Sequence, residues 1–203
     1  MRWLTLYLRS RRAPVALTAA AGCAVVMWSL WSAFSDSRTV GTPMVVLTVL
    51  LLVAALTATL GGPDDALELT AALPWPPRRV AHLVTAFLVV VALLLATLAT
   101  GAHFGPAQLV VRDAGGLLGL TAFGAATIGT ARAWFLPLGW TLAAVLFPRS
   151  EPVLGQILTW QAQPAASSVA TGAAGLLGLG GLVAYAVAGP ARRPPAEAAQ
   201  ATG

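Results

Sequence analysis

Residues 80–111 read VAHLVTAFLVVVALLLATLATGAHFGPAQLVV and contain no Asp, Glu, Lys or Arg. An α-helix rises about 1.5 Å per residue and the hydrocarbon core of a bilayer is about 30 Å thick, so about 20 apolar residues suffice to cross it. Five more charge-free intervals accompany this one, at 13–35, 39–63, 114–131, 133–148 and 152–191. A charge held within the bilayer costs roughly 2.5–3.5 kcal/mol even on the lenient insertion scale. The intervals that avoid this cost predict six spans: Pro14–Phe34, Pro43–Leu60, Val80–Gly101, Ala114–Ala131, Ala133–Phe147 and Ser167–Ala188. Arg132 is the only charge between the fourth and fifth, and the fifth is short and contains Pro137. A single kinked span there would make five, but it would place Arg132 at midplane.

Composition points the same way. The chain has 203 residues, 58% hydrophobic and 9% charged. A soluble domain carries about 25% charged residues, so a soluble enzyme and a disordered chain are both disfavoured. The twelve basic residues are all Arg. Without Lys there is no phosphate-loop lysine, Schiff-base lysine or lysine general base. The one cysteine, Cys23, excludes an intrachain disulfide and a cysteine metal cluster.

The charges also orient the chain. With the N-terminus inside, nine Arg fall on the cytoplasmic side: Arg2, Arg9, Arg11, Arg12, Arg78, Arg79, Arg132, Arg192 and Arg193. Three fall outside, and each has an acid close by: Arg38 with Asp36, Arg112 with Asp113, and Arg149 with Glu151. The outer face sums to zero and both termini are expected in the cytoplasm. Trp28 and Trp31 read as interfacial anchors at the outer end of a retained first span rather than part of a signal peptide. Residues 1–13 place Arg2, Thr5, Arg9 and Arg12 on one helical face and Trp3, Leu4, Tyr7 and Leu8 on the other, which predicts an interfacial helix reaching toward anionic headgroups. Residues 189–203 lack an apolar face and read as a disordered cytoplasmic tail. No nucleic-acid partner is expected.

Residues 61–79, GGPDDALELTAALPWPPRR, predict a short cytoplasmic helix over 63–73. Pro63 suits its first turn, Asp64, Asp65 and Glu68 suit the positive end of its dipole, and Pro74 stops it. Pro76 and Pro77 are expected to delay the next helix until Arg78. The segment resembles the cytoplasmic loop of the permease subunits of ABC exporters of the second type, through Glu68, Leu69, Leu73, Pro74, Arg78 and Arg79. The double proline departs from the family's usual pattern. The resemblance implies that this loop is a coupling helix docking on a separate ATP-binding-cassette subunit, and that a second membrane subunit, identical or related, completes the translocation path. It also implies export and a bacterial plasma-membrane location. ATP hydrolysis then belongs to the partner chain, and this chain is not expected to be an enzyme or to hold a cofactor.

Residues 149–166 form an outer segment apolar enough to dip back into the membrane, which is permitted only where protein covers its backbone. In the resembled family this stretch often forms two short outer half-helices; a helix lying flat on the surface is the competing reading. Small residues recur every fourth position at Thr121, Ala125 and Gly129, and at Ala170, Ala174 and Gly178, a spacing that lets helices approach closely.

A membrane-embedded enzyme would need clustered ionisable groups. His82 and His103 stand 21 residues, about 30 Å, apart along the third span and cannot share a metal. No catalytic or metal-ligating set is expected. A non-transporting scaffold, accessory or immunity subunit remains an alternative to the permease.

Overall fold

A computed structural model of the chain describes residues 12–61, 75–146 and 153–191. The regular elements among them are all helices. They are α1 Ala13–Phe34, α2 Thr42–Thr57, α3 Trp75–Ala96, α4 Ala107–Ile128, α5 Phe135–Leu146, α6 Val153–Leu158 and α7 Ser168–Ala188. Short 3-10 turns follow α3, at Thr97–Ala99, and α6, at Trp160–Ala162. Four helices are long and apolar enough to cross a membrane: α1, α3 with its 3-10 turn, α4 and α7. The apolar α2 and α5 are shorter, at 16 and 12 residues. The expected helices over 1–13 and 63–73 and the tail 189–203 lie outside the described residues, apart from Arg12, Ala13 and 189–191.

Local chemistry explains several helix ends. Pro14 and Pro43 occupy first-turn positions of α1 and α2, where a missing N–H costs nothing. The Ser167 hydroxyl caps α7 by accepting from the Ala170 N–H at 3.2 Å. Gly129 and Gly189 end α4 and α7 with positive φ, at 85° and 72°.

Two boundaries differ from expectation. The third helix starts at Trp75 rather than after the proline pair, because Pro76 and Pro77 sit in its first turn, where no intrahelical N–H is required. The fourth starts at Ala107, seven residues before Ala114, and so includes Arg112 and Asp113. The sequence alone places both in the outer loop. Their charges are tolerated because the bundle itself supplies their partners.

The loops sort into two ends. At one end, residues 38–40 and 103 pair through backbone bonds: His103 N–H to Arg38 O at 2.7 Å, and Val40 N–H to His103 O at 2.9 Å. Trp28 Nε1–H donates to Thr100 Oγ1 at 2.9 Å and Trp31 Nε1–H to the Ser37 carbonyl at 2.8 Å, so both indoles tie α1 to this loop layer. The other end gathers Arg12, Arg78, Arg79 and Arg132, with no acid among the described residues there. There the Tyr185 hydroxyl donates to the Leu60 carbonyl at 2.5 Å, Ala191 N–H donates to the Ala125 carbonyl at 2.7 Å, and His82 Nε2 meets Thr59 Oγ1 at 2.9 Å. We call these the neutral and the basic end. His103 and His82 stand at opposite ends.

Helix α4 is the centre of the bundle and packs against α2, α3, α5 and α7. Its closest partner is α7, which runs parallel to it. A Cβ on Gly119 would overlap the Leu177 carbonyl and Gly178, and a Cβ on Gly181 would overlap the Gly119 carbonyl. The backbones touch, so only glycine fits. Ala170, Ala174 and Gly178 do lie on the packed side of α7. On α4 the facing glycines are Gly115 and Gly119, whereas Thr121 turns its hydroxyl to its own helix, on the Leu117 carbonyl at 2.9 Å.

Candidate functional site

Residues 159–164, ahead of α7, enter the bundle. The Trp160 indole lies against the backbone of Gly116 so closely that any Cβ at Gly116 would overlap it. Gly116 stands nine positions into α4, roughly 13 Å from the helix start. Leu158, two residues earlier, offers its carbonyl to Trp140 Nε1–H at 3.1 Å, from the middle of α5. The chain therefore reaches well below the neutral end before returning to start α7 at Ser168. Thr159, Trp160 and Gln161 are buried, and the 3-10 turn Trp160–Ala162 packs against α2, α5 and α7.

Such a turn exposes carbonyls that no helix satisfies. Arg112 supplies the donors. Its Nη1 donates to the Pro164 carbonyl at 2.9 Å, and its Nη2 to the Gln161 carbonyl at 3.2 Å and the Gln163 carbonyl at 3.0 Å. Nε donates to Asp113 Oδ1 at 3.0 Å. Four of the five guanidinium N–H groups are thereby used. The side chains are 3% and 0% exposed, so this is an ion pair removed from solvent. A lone buried charge is costly, and pairing with complete hydrogen bonding makes it tolerable. Asp113 neutralises the guanidinium, and the guanidinium covers the backbone of the inserted turn.

Satisfaction is incomplete on the other side. Asp113 Oδ2, Trp160 Nε1 and both amide atoms of Gln161 are buried without a hydrogen-bond partner. Beside Arg112 runs an apolar groove of ≈ 420 Å³ between α3, α4 and α7, with Phe87, Gly115, Gly119, Thr171, Gly175 and Leu179 among its lining residues. Among the described residues, no three His, Cys, Asp or Glu side chains gather to hold a metal ion.

Of the residues expected to contact an ATPase partner, Glu68, Leu69, Leu73 and Pro74 lie outside the described residues. Arg78 and Arg79 are in the first turns of α3 at the basic end. The Arg78 guanidinium stands over the Trp75 ring, 5.6 Å from its centroid. The Arg79 guanidinium turns across to α7, donating from Nη1 to the Ala186 carbonyl at 3.3 Å and packing on Gly189. The two arginines are adjacent but engage different parts of the molecule.

Sequence reading missed Arg112, Asp113, Gly116 and Gln161 as one assembly, although it singled out 149–166 as too apolar for an ordinary loop. Of that stretch, 153–166 is described, and it contains two short helical pieces. The available signal was the run Ala114-Gly115-Gly116 directly after Arg112-Asp113: a charge pair beside small residues, with no proline between Ala107 and Ile128 to break the helix. Comparison with known proteins found no match, neither a family model nor a curated protein nor a solved structure.

Proposed function

We propose that the chain is a membrane-spanning permease subunit of an ATP-driven ABC exporter, working with a second membrane subunit and separate ATP-binding subunits. The observation that carries this reading is the position of the connector 62–74. It leaves the bundle at Gly61 and returns at Trp75, both at the basic end. The residues flanking it are each bonded to α7: Leu60 accepts from Tyr185, and Arg79 donates to Ala186. A helix docked on an ATPase at this place would pull on α2, α3 and α7 together. Glu68 and Arg78 would orient the contact, since charges favour specificity over raw affinity, and Leu69 and Leu73 would supply its apolar part. In this reading six crossings put both termini and the basic end in the cytoplasm of a bacterial cell.

The test is co-purification from native membranes, with the bound proteins identified by mass spectrometry. An ATP-binding-cassette protein is expected with the wild type, and its loss, or loss of coupled ATPase activity, with Glu68→Ala, Leu69→Ala and Leu73→Ala combined. A triple variant that inserts and retains a fully coupled partner would reduce 62–74 to a plain connector. A wild type that brings down no such protein would favour the accessory-subunit reading. Reporter fusions at 38 and 150 should read external, and fusions at 70 and 195 internal.

A further inference from the structure

The inserted turn is held unevenly. Helix α6, which leads into it, contributes no buried residue. The turn carries buried polar atoms without partners, Trp160 Nε1 and the Gln161 amide, which oppose its burial. Beyond its packing against α2, α5 and α7, two contacts hold it in place: the Trp160 ring on Gly116, and the fan of bonds from Arg112 to the carbonyls of Gln161, Gln163 and Pro164. The second spans almost the whole turn from a single side chain.

We propose that residues 159–164 form a releasable strap, that Arg112 is the latch holding it inside the bundle, and that loss of the latch frees the strap while the helices stay packed. The helices have their own basis for staying together, the backbone contact of α4 with α7 at Gly119 and Gly181 and the apolar core around Val49, Val90 and Leu117. Asp113 plays a different part. Its Oδ1 accepts from Arg112 and its Oδ2 has no partner, so it balances the charge of Arg112 without accepting a hydrogen bond from the strap. This inference does not depend on the transport reading.

The experiment is thiol accessibility in reconstituted vesicles, in a Cys23→Ser background, with a membrane-impermeant maleimide. Gln161→Cys reports on the strap, because that residue is 1% exposed; Val90→Cys reports on the helix core, where exposure is 0%. Adding Arg112→Gln should raise labelling at position 161 at least tenfold and leave position 90 unlabelled. Arg112→Lys, which keeps the charge but loses the planar fork, should raise it by several-fold. Asp113→Asn should change it by less than twofold. Should Arg112→Gln fail to fold, the comparison is read from Arg112→Lys against Asp113→Asn. The proposal is overturned if labelling at 161 stays slow in the arginine variants. Equal rises at 161 and 90 overturn it too, since Arg112 would then support the whole bundle. An Asp113→Asn effect as large as that of the arginine variants would assign the role to charge balance and not to the latch.

Discussion

Helices α1 and α4 have the same length, 22 residues, and both are apolar enough to cross a membrane, yet they live in different surroundings. In α4, 78% of the apolar window is buried inside the protein; in α1 the share is 28%. The more buried helix is the one that carries Arg112 and Asp113, while α1 carries no charge after Arg12. In a soluble protein the ranking would run the other way. A membrane helix facing lipid must be apolar all round, because hydrocarbon offers nothing to a polar group. A helix surrounded by other helices can carry charge and glycine, since its neighbours provide hydrogen bonds and close contacts. Polarity inside a span thus marks the centre of the bundle.

Replacing Arg112 should be the most damaging test of this contrast. Arg112→Gln leaves Asp113 buried and unpaired and should cost about 3–5 kcal/mol in detergent unfolding, the range for breaking a buried pair from one side. The double variant Arg112→Gln with Asp113→Asn should recover part of that loss. A single variant as stable as the wild type would mean that the pair is not desolvated. Next comes Gly119→Val, which forces a side chain into the α7 backbone. Its cost should reach or exceed the top of the roughly 1–3 kcal/mol span typical of overpacking, and a cross-link between cysteines placed on α4 and α7 should weaken in parallel.

Smaller losses are expected farther from the centre. Tyr185→Phe removes the donor to the Leu60 carbonyl at the basic end, and a buried acceptor left unmatched costs about 1–3 kcal/mol; the unfolding midpoint reads this directly. The weakest effect belongs to α1. Val25 is 62% exposed on the protein surface, and Val25→Ala should stay within about 0.5 kcal/mol of the wild type, as surface substitutions do. A large loss there would show that this face of α1 is covered by another chain.

Much of the fold is legible in the sequence. Helices α1, α3 and α7 agree with the expected spans Pro14–Phe34, Val80–Gly101 and Ser167–Ala188 to within about five residues at each end, because hydropathy and helix-stop chemistry are local properties. The position of the basic cluster was legible for the same reason. The start of α3 was misread because two prolines look like a break, although a first turn accepts them. The start of α4 was misread because a charge was taken as a boundary.

That last error separates what is local from what is not. Arg112 is an outer-loop residue by any rule that scores its neighbours in the chain. Its partners lie elsewhere: the carbonyl of Gln161 is 49 residues away and that of Pro164 is 52. Trp160 meets Gly116, and Gly181 meets Gly119, across similar gaps. The sequence pattern alone was enough to establish an all-helical chain suited to a bilayer, with Arg12, Arg78, Arg79 and Arg132 gathered at one end. Which charges enter the bundle, and which turn they hold, depended on the approach of segments remote in sequence, because a buried guanidinium is tolerated only where folding brings acceptors to it.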